Sequence, residues 1–336
     1  MIFGRQTVDK KKGTVDYDDV RAGWLERRLL TKQDQQSSDE WLEAIGTFED
    51  KASSKSVPSE FILQQIEISV TGNPLPRIRQ TSGSCVGVSG AMAMRQAAIC
   101  ERWFDGDHEG LQLSFPFVTY GVGRSYHSRR PGDGSFGSAQ ARATREFGTL
   151  PVDFSLDDFS FPAPETKGEK GSEWVSWRSQ TERTWSHPDA WPIPMEALAS
   201  HADPYAIDKT TRITTVEGVM QALAAGFGVT EASKWGTKPT VQHGYLVSST
   251  KRTWAHQMQI AGYKQTNTPL GTLFLINNTW GDVHGSCPFL TRMHSGIRGS
   301  FWAKKSDVEQ MLKSEVIAYT GTGGFDAEPI DYAITV

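Results

Sequence analysis

The sequence changes character at Gly226. Before it, apolar residues recur at helical spacing, and after it the chain breaks into short extended runs. Residues 84–102 read as a long helix rich in Ala, Met and Gln, and 139–147 as a second, closed by Gly148 as a C-cap. Residues 215–225 form a third, capped by Thr214 or Thr215. Beyond Gly226, residues 228–232, 244–248, 256–263 and 272–277 all fit strands, and Pro269-Leu270-Gly271 supplies the turn before the last of them. Helices first and strands later point to an α+β architecture.

The rest of the chain divides around this frame. Residues 1–58 are polar and charged, with helical patterns through Val20, Trp24, Leu25 and Leu29 and through Trp41, Leu42 and Ile45. The second has Ser37 or Ser38 as its expected N-cap, and 51–58 reads as a linker. The region is expected to be an arm or pro-segment that packs on a main domain spanning 59–336, and it offers a docking surface for a partner. In the main domain, 62–70 is a strand candidate followed by a turn at Gly72-Asn73-Pro74, and 132–138 is a glycine-rich loop. Residues 160–205 carry little regular pattern and read as a surface insertion or a subdomain lying over the core.

Composition narrows the function. The net charge of -4, with mixed signs throughout, offers no basic field for nucleic acid. The start, MIFGRQTVDKKKG, has no apolar core of a secretory signal, and no run approaches the ~20 apolar residues that cross a bilayer. The three cysteines, Cys85, Cys100 and Cys287, cannot all pair within one chain, which fits a reducing compartment. A cytoplasmic protein, or a component of a virion, is therefore expected, with no membrane partner. No cofactor is expected: Gly121-Val122-Gly123 lacks the third glycine of a nucleotide fingerprint. No metal is expected either, because His284 and Cys287, even with His243, fall short of the close ligand pairs of a structural zinc site.

Three fragments carry the chemistry. The small-residue loop Gln80-Thr81-Ser82-Gly83-Ser84 delivers Cys85 to the first turn of a helix, where the helix dipole favours a thiolate. Gly83 and Ser84 leave the backbone open to a substrate, whereas Cys100 falls mid-helix on an apolar face. His256 opens a strand of period two, beside aromatic cover, which suits a general base. The apolar strand 272–277 runs into Asn278, whose side-chain oxygen can accept an imidazole N–H, with Trp280 placed to keep water from that bond.

In the order Cys, His, Asn, these blocks resemble the papain-like cysteine peptidases: Gly83-Ser84-Cys85, His256 followed by Gly262-Tyr263, and Asn278-Thr279-Trp280-Gly281. The resemblance covers roughly residues 75 to 290. It implies a two-lobed fold, with a helical lobe at about 75–205 built on a catalytic central helix and an antiparallel sheet or barrel at about 206–320. It implies a cysteine peptidase acting on peptide or protein substrates through a thioester. Cys85 is then the nucleophile, His256 its base and Asn278 the orienting group, while Gln80 donates to the oxyanion. Gly134 and Ser135 bind the substrate strand, together with Gly83, Ser84 and Trp280.

Several positions depart from the pattern. Gln80 stands five residues before Cys85 rather than six, Val86 replaces an aromatic, and Ser135 replaces the second glycine of the usual pair. Ser82 stands where a cysteine would form a neighbouring disulfide, which fits a divergent bacterial or phage-like member. Two other readings stay open: an interaction or structural module that keeps the fold for binding, as in a phage particle, and an amidase or cell-wall peptide hydrolase.

Overall fold

A computed structural model describes residues 24, 31–49, 57–71, 76–104, 114–126, 133–167, 174–281 and 299–320. The elements are, in chain order, α1 (Lys32–Ile45), β1 (Glu60–Ile62), α2 (Leu63–Thr71), β2 (Arg77–Arg79), α3 (Cys85–Phe104), α4 (Pro116–Ser125) and α5 (Gly137–Glu146). Next come β3 (Ser155–Leu156), β4 (Phe159–Ser160), β5 (Glu165–Lys167), β6 (Trp174–Ser176), α6 (Ser179–Trp185) and α7 (Met195–Ala202). The remainder is β7 (Thr210–Arg212), α8 (Val216–Ala224), β8 (Gly228–Gln242), β9 (Tyr245–Gln265), β10 (Thr272–Asn277), β11 (Ser300–Lys304), α9 (Lys305–Met311) and β12 (Glu315–Tyr319). The class is α+β, as the change of character at Gly226 indicates. Among the described residues no helix is long and apolar enough to cross a membrane.

A helical lobe gathers α3 to α7 around an aromatic core. Phe115 stacks on Phe161 at 4.3 Å and meets Trp177 and Trp185 edge-on at 5.4 and 5.2 Å. Offset and edge-on contacts of this kind add to the burial term. Residues 160–205, expected as a surface insertion or an overlying subdomain, supply part of this core: Trp177, Trp185 and Trp191 are all buried. Their spacing follows no single helical or strand period, so no pattern announces their burial.

The second lobe is a seven-stranded sheet in the order β10-β11-β9-β8-β12-β7, with β1 also paired to β9. β9 is twisted so far that its end pairs with β10 while its beginning meets β11 through Trp302 and Val247, which curls the sheet into a barrel-like closure. Ile62, Val247, Ala261, Leu273, Leu275 and Trp302 fill the closure. The strands expected at 244–248 and 256–263 are one strand, and that at 228–232 continues to Gln242. The intervening Ser, Thr and Lys residues break the apolar alternation, yet their backbones pair, as Thr237 with Lys251 and Lys238 with Thr250.

Local signals explain most element ends. Thr215 caps α8 by accepting from the Gly218 N–H at 2.9 Å, and Gly148 and Gly271 take positive φ where a C-cap and a turn are expected. Two expectations fail. α1 starts at Lys32, capped by a Thr31–Asp34 box, and not at Ser37 or Ser38; Ser38 is buried against Ser138 at 2.7 Å. Residues 62–70 are extended only to Ile62 and helical from Leu63, because Leu63 and Ile66 share one helical face and pack with Ile99 and Cys100 in the core. That tertiary burial overrides the β-preference of the isoleucines. Trp24, expected in a helix, forms a parallel bridge with Ser135; Val20, Leu25, Leu29, most of the 51–58 linker and the Gly72-Asn73-Pro74 turn lie outside the described residues.

Within the β lobe, Glu231 is buried, accepts from Ser233 Oγ at 2.8 Å, and is pushed up to about 8 by burial. A carboxyl whose folded pKa lies above its unfolded value holds its proton more tightly when folded. It favours folding fully below the unfolded pKa, and that contribution is lost as pH rises toward about 8. Thermal unfolding from pH 5 to pH 8.5 should show wild-type stability declining and Glu231→Gln flattening the decline, with the variant more stable at pH 8.5. A variant parallel to wild type across this range would show that Glu231 does not titrate there.

Candidate active site

The site lies where the start of α3 meets β9 and the end of β10. Cys85 is the first residue of α3, which opens with Val88 N–H donating to Ser84 O at 3.1 Å. The side chain of Gln257, next to His256, reaches Val86 O at 3.5 Å, so the helix start abuts β9 beside the histidine. Cys85 and His256 are fully buried.

His256 is held from two sides. Its Nε2 lies 2.9 Å from Asn278 Oδ1, and Trp280 packs over the ring at 4.6 Å between centroids and 30° between planes. Trp254 stands against Trp280 at 4.8 Å and backs the indole that packs over the ring. A hydrogen bond screened from water in this way is stronger than an exposed one.

The loop before Cys85 is fixed at both ends. Gln80 N–H donates to Thr279 O at 2.9 Å, and Thr279 Oγ1 donates in return to Gln80 Oε1. Gln80 Nε2 donates to Ser82 O at 2.7 Å. Gly83 packs so closely on the next loop that a Cβ there would lie 2.6 Å from Asp133 Cβ. The Tyr120 hydroxyl joins the same two loops, donating to Gly83 O at 3.0 Å and accepting from Gly134 N–H at 2.9 Å; burial raises its pKa, so it keeps this proton. Gly134 has φ 114, a conformation that favours glycine. Arg124 donates to Gly134 O at 2.8 Å.

All the residues singled out from the sequence thus fall in one region: Gln80, Gly83, Ser84 and Cys85 on one loop and helix start, Gly134 and Ser135 on the neighbouring loop, and His256, Asn278 and Trp280 across from them. Three residues escape the sequence reading. Glu182, on α6, is buried and accepts from Thr81, Ser82 and Ser84. Thr279 bonds Gln80. Trp24 bridges to Ser135, donates its backbone N–H to Ala255 O at 3.1 Å, and donates its indole N–H to partly buried Glu315 at 3.2 Å. Thr279 sits inside a block already singled out, whereas Glu182 and Trp24 act across 98 or more residues and leave no local signal.

Among the described residues no group of three or more His, Cys, Asp or Glu side chains is arranged to hold a metal. His243 sits exposed at the β8–β9 turn, and His284 and Cys287 lie outside the described residues. Burial raises the Cys100 thiol, which fits an inert core cysteine.

No family model matches the sequence, and no curated protein matches it. Solved structures do. Xylellain, a cysteine protease from Xylella fastidiosa, is 13% identical, with a TM-score of 0.50 over 96% of this chain and 99% of that one. A procathepsin B from Trypanosoma congolense is 11% identical (TM-score 0.48, 90% of this chain and 86% of that), and bromelain from Ananas comosus is 11% identical (TM-score 0.47, 79% and 99%). The likeness to xylellain shows that this chain has the two-lobed papain-like fold.

The Gln80–Thr279 contact can be tested by stability. Thr279→Val keeps the shape but removes the donor to buried Gln80 Oε1, which should cost about 1–3 kcal/mol in urea unfolding. Thr279→Ser should recover most of it, and equal stability in all three proteins would show that the bond contributes nothing.

Proposed function

We propose that this protein is a cysteine peptidase that hydrolyses peptide bonds through Cys85, His256 and Asn278. The observation that carries this reading is the 2.9 Å His256–Asn278 bond, covered by Trp280, beside a helix that begins at Cys85. With Nε2 engaged by Asn278, Nδ1 is the ring nitrogen that takes the thiol proton. The thiolate, favoured by the helix start, attacks the carbonyl carbon, and the oxyanion is held by Gln80 and the Cys85 backbone N–H. Collapse of the tetrahedral intermediate breaks the C–N bond as the imidazolium protonates the leaving amine. Water, deprotonated by His256, then cleaves the thioester.

Ser135 serves as the edge along which an extended peptide pairs, and Gly134, held by Tyr120 and Arg124, shapes the turn that presents it. The bridge of Trp24 to Ser135, and its N–H bond to Ala255 O beside His256, support reading Trp24 as an occupant of that groove. Trp24 then covers the site, and its removal or its displacement by a partner opens it.

Carboxamidomethylation with iodoacetamide from pH 4 to 9, followed by peptide mapping, tests both parts. Cys85 should react well below the ~8.5 pKa of a free thiol. The reaction at low pH should vanish in His256→Ala, and Trp24→Ala should accelerate it several-fold. Reaction of Cys85 only above pH 8 in both wild type and Trp24→Ala would remove the peptidase reading and leave a binding module.

A further inference from the structure

We infer that Glu182 is the positioning residue for the nucleophile loop, setting the place of Cys85 and of the Gln80 amide through a cluster of hydrogen bonds to one carboxylate. This rests on the reading of Cys85 as the nucleophile. The stretch between β2 and α3 belongs to no helix or ladder, so its buried polar groups need acceptors from elsewhere. Glu182 supplies them. Its Oε1 accepts from Thr81 N–H at 2.7 Å and Thr81 Oγ1 at 2.8 Å. Its Oε2 accepts from Ser82 N–H at 2.9 Å, Ser82 Oγ at 2.6 Å and Ser84 Oγ at 2.7 Å.

Both ends of the catalytic assembly hang on these bonds. Ser84 directly precedes Cys85 and its carbonyl opens α3. Ser82, held at both its N–H and its hydroxyl, presents its carbonyl to Gln80 Nε2 at 2.7 Å. A shift of Ser82 therefore moves the amide proposed to meet the oxyanion, and a shift of Ser84 moves the thiol. Groups in such a site must be held to within about half an ångström to work.

The carboxylate has a rigid mount. Glu182 lies on α6 one turn before Trp185, which is packed against Phe115, Phe161 and Trp191. It is fully buried, and desolvation pushes its pKa up while the loop's donors pull it back. A buried carboxyl is costly for a fold. Only an acceptor with two oxygens and several lone pairs can take all these donors at once, and the isosteric amide cannot, because half of it is itself a donor.

The test compares wild type with Glu182→Gln and Glu182→Asp by two readouts: the rate of Cys85 carboxamidomethylation at pH 7, and kcat and KM on fluorescein-labelled casein. Glu182→Gln should lower both the alkylation rate and kcat about tenfold or more while KM stays within about twofold. Glu182→Asp, which keeps a carboxylate at shorter reach, should recover part of the loss. If Glu182→Gln does not fold, Ser82→Ala and Ser84→Ala each remove one of the bonds and should give the same kcat-weighted loss on a smaller scale. A folded Glu182→Gln with wild-type alkylation rate and kcat, even at a lower melting temperature, overturns the inference and leaves Glu182 a purely structural residue. Cys85 that alkylates no faster than an ordinary thiol in both wild type and Trp24→Ala overturns the nucleophile reading itself, and the inference with it.

Discussion

The arrangement depends on the seam where Gln80 of the helical lobe meets Thr279 of the β lobe. The backbone bond from Gln80 to Thr279 O and the hydroxyl bond back to Gln80 Oε1 tie the loop before Cys85 to the end of β10. That strand end also carries Asn278, which holds His256. One pair of bonds thus references the thiol and the imidazole to the same strand end. Neither lobe could fix their relation alone, because the two side chains stand on different elements of different lobes.

Around this seam the structure spends polar burial freely. Glu182 and Glu231 are fully buried and Glu315 is partly buried, and burial raises the pKa of each. Two of them are tied to segments beside Cys85: Glu182 to the loop preceding it, and Glu315 to the start of α5 and to Trp24. Glu231 sits instead in the core of the β lobe, where Ser233 Oγ donates to its carboxyl. The difference separates carboxyls that several donors hold in place from one that burial pushes up to about 8. Ser82, at the position where the resemblance would place a disulfide-forming cysteine, is bonded to Glu182 in this chain, so hydrogen bonds hold the loop without a covalent link.

Much of this was legible in the sequence because the informative residues are local. Cys85 at a helix start, Asn278 at a strand end and Gly148 at a cap each announce themselves within a few neighbours. The errors arose where tertiary contacts decide. Leu63 and Ile66 look like strand residues until the α3 face they pack on is known, and Thr31 caps α1 because Asp34 completes its box seven residues before Trp41, the first apolar residue of the helical pattern. The tryptophans of 160–205 are core residues without a period. Glu182 is one acidic residue among many in a polar stretch, and its role exists only once the loop 100 residues earlier is beside it.

That separation bears on how the protein comes into being. The loop leading to Cys85 waits for Glu182 about one hundred residues later and for Thr279, 199 residues after Gln80, before its bonds can form. A chain leaving the ribosome exposes the thiol long before it can complete the surroundings that would activate it. The site is therefore assembled only once the chain extends past β10, and translation products that stop short of it carry the cysteine without the residues that surround it in the fold.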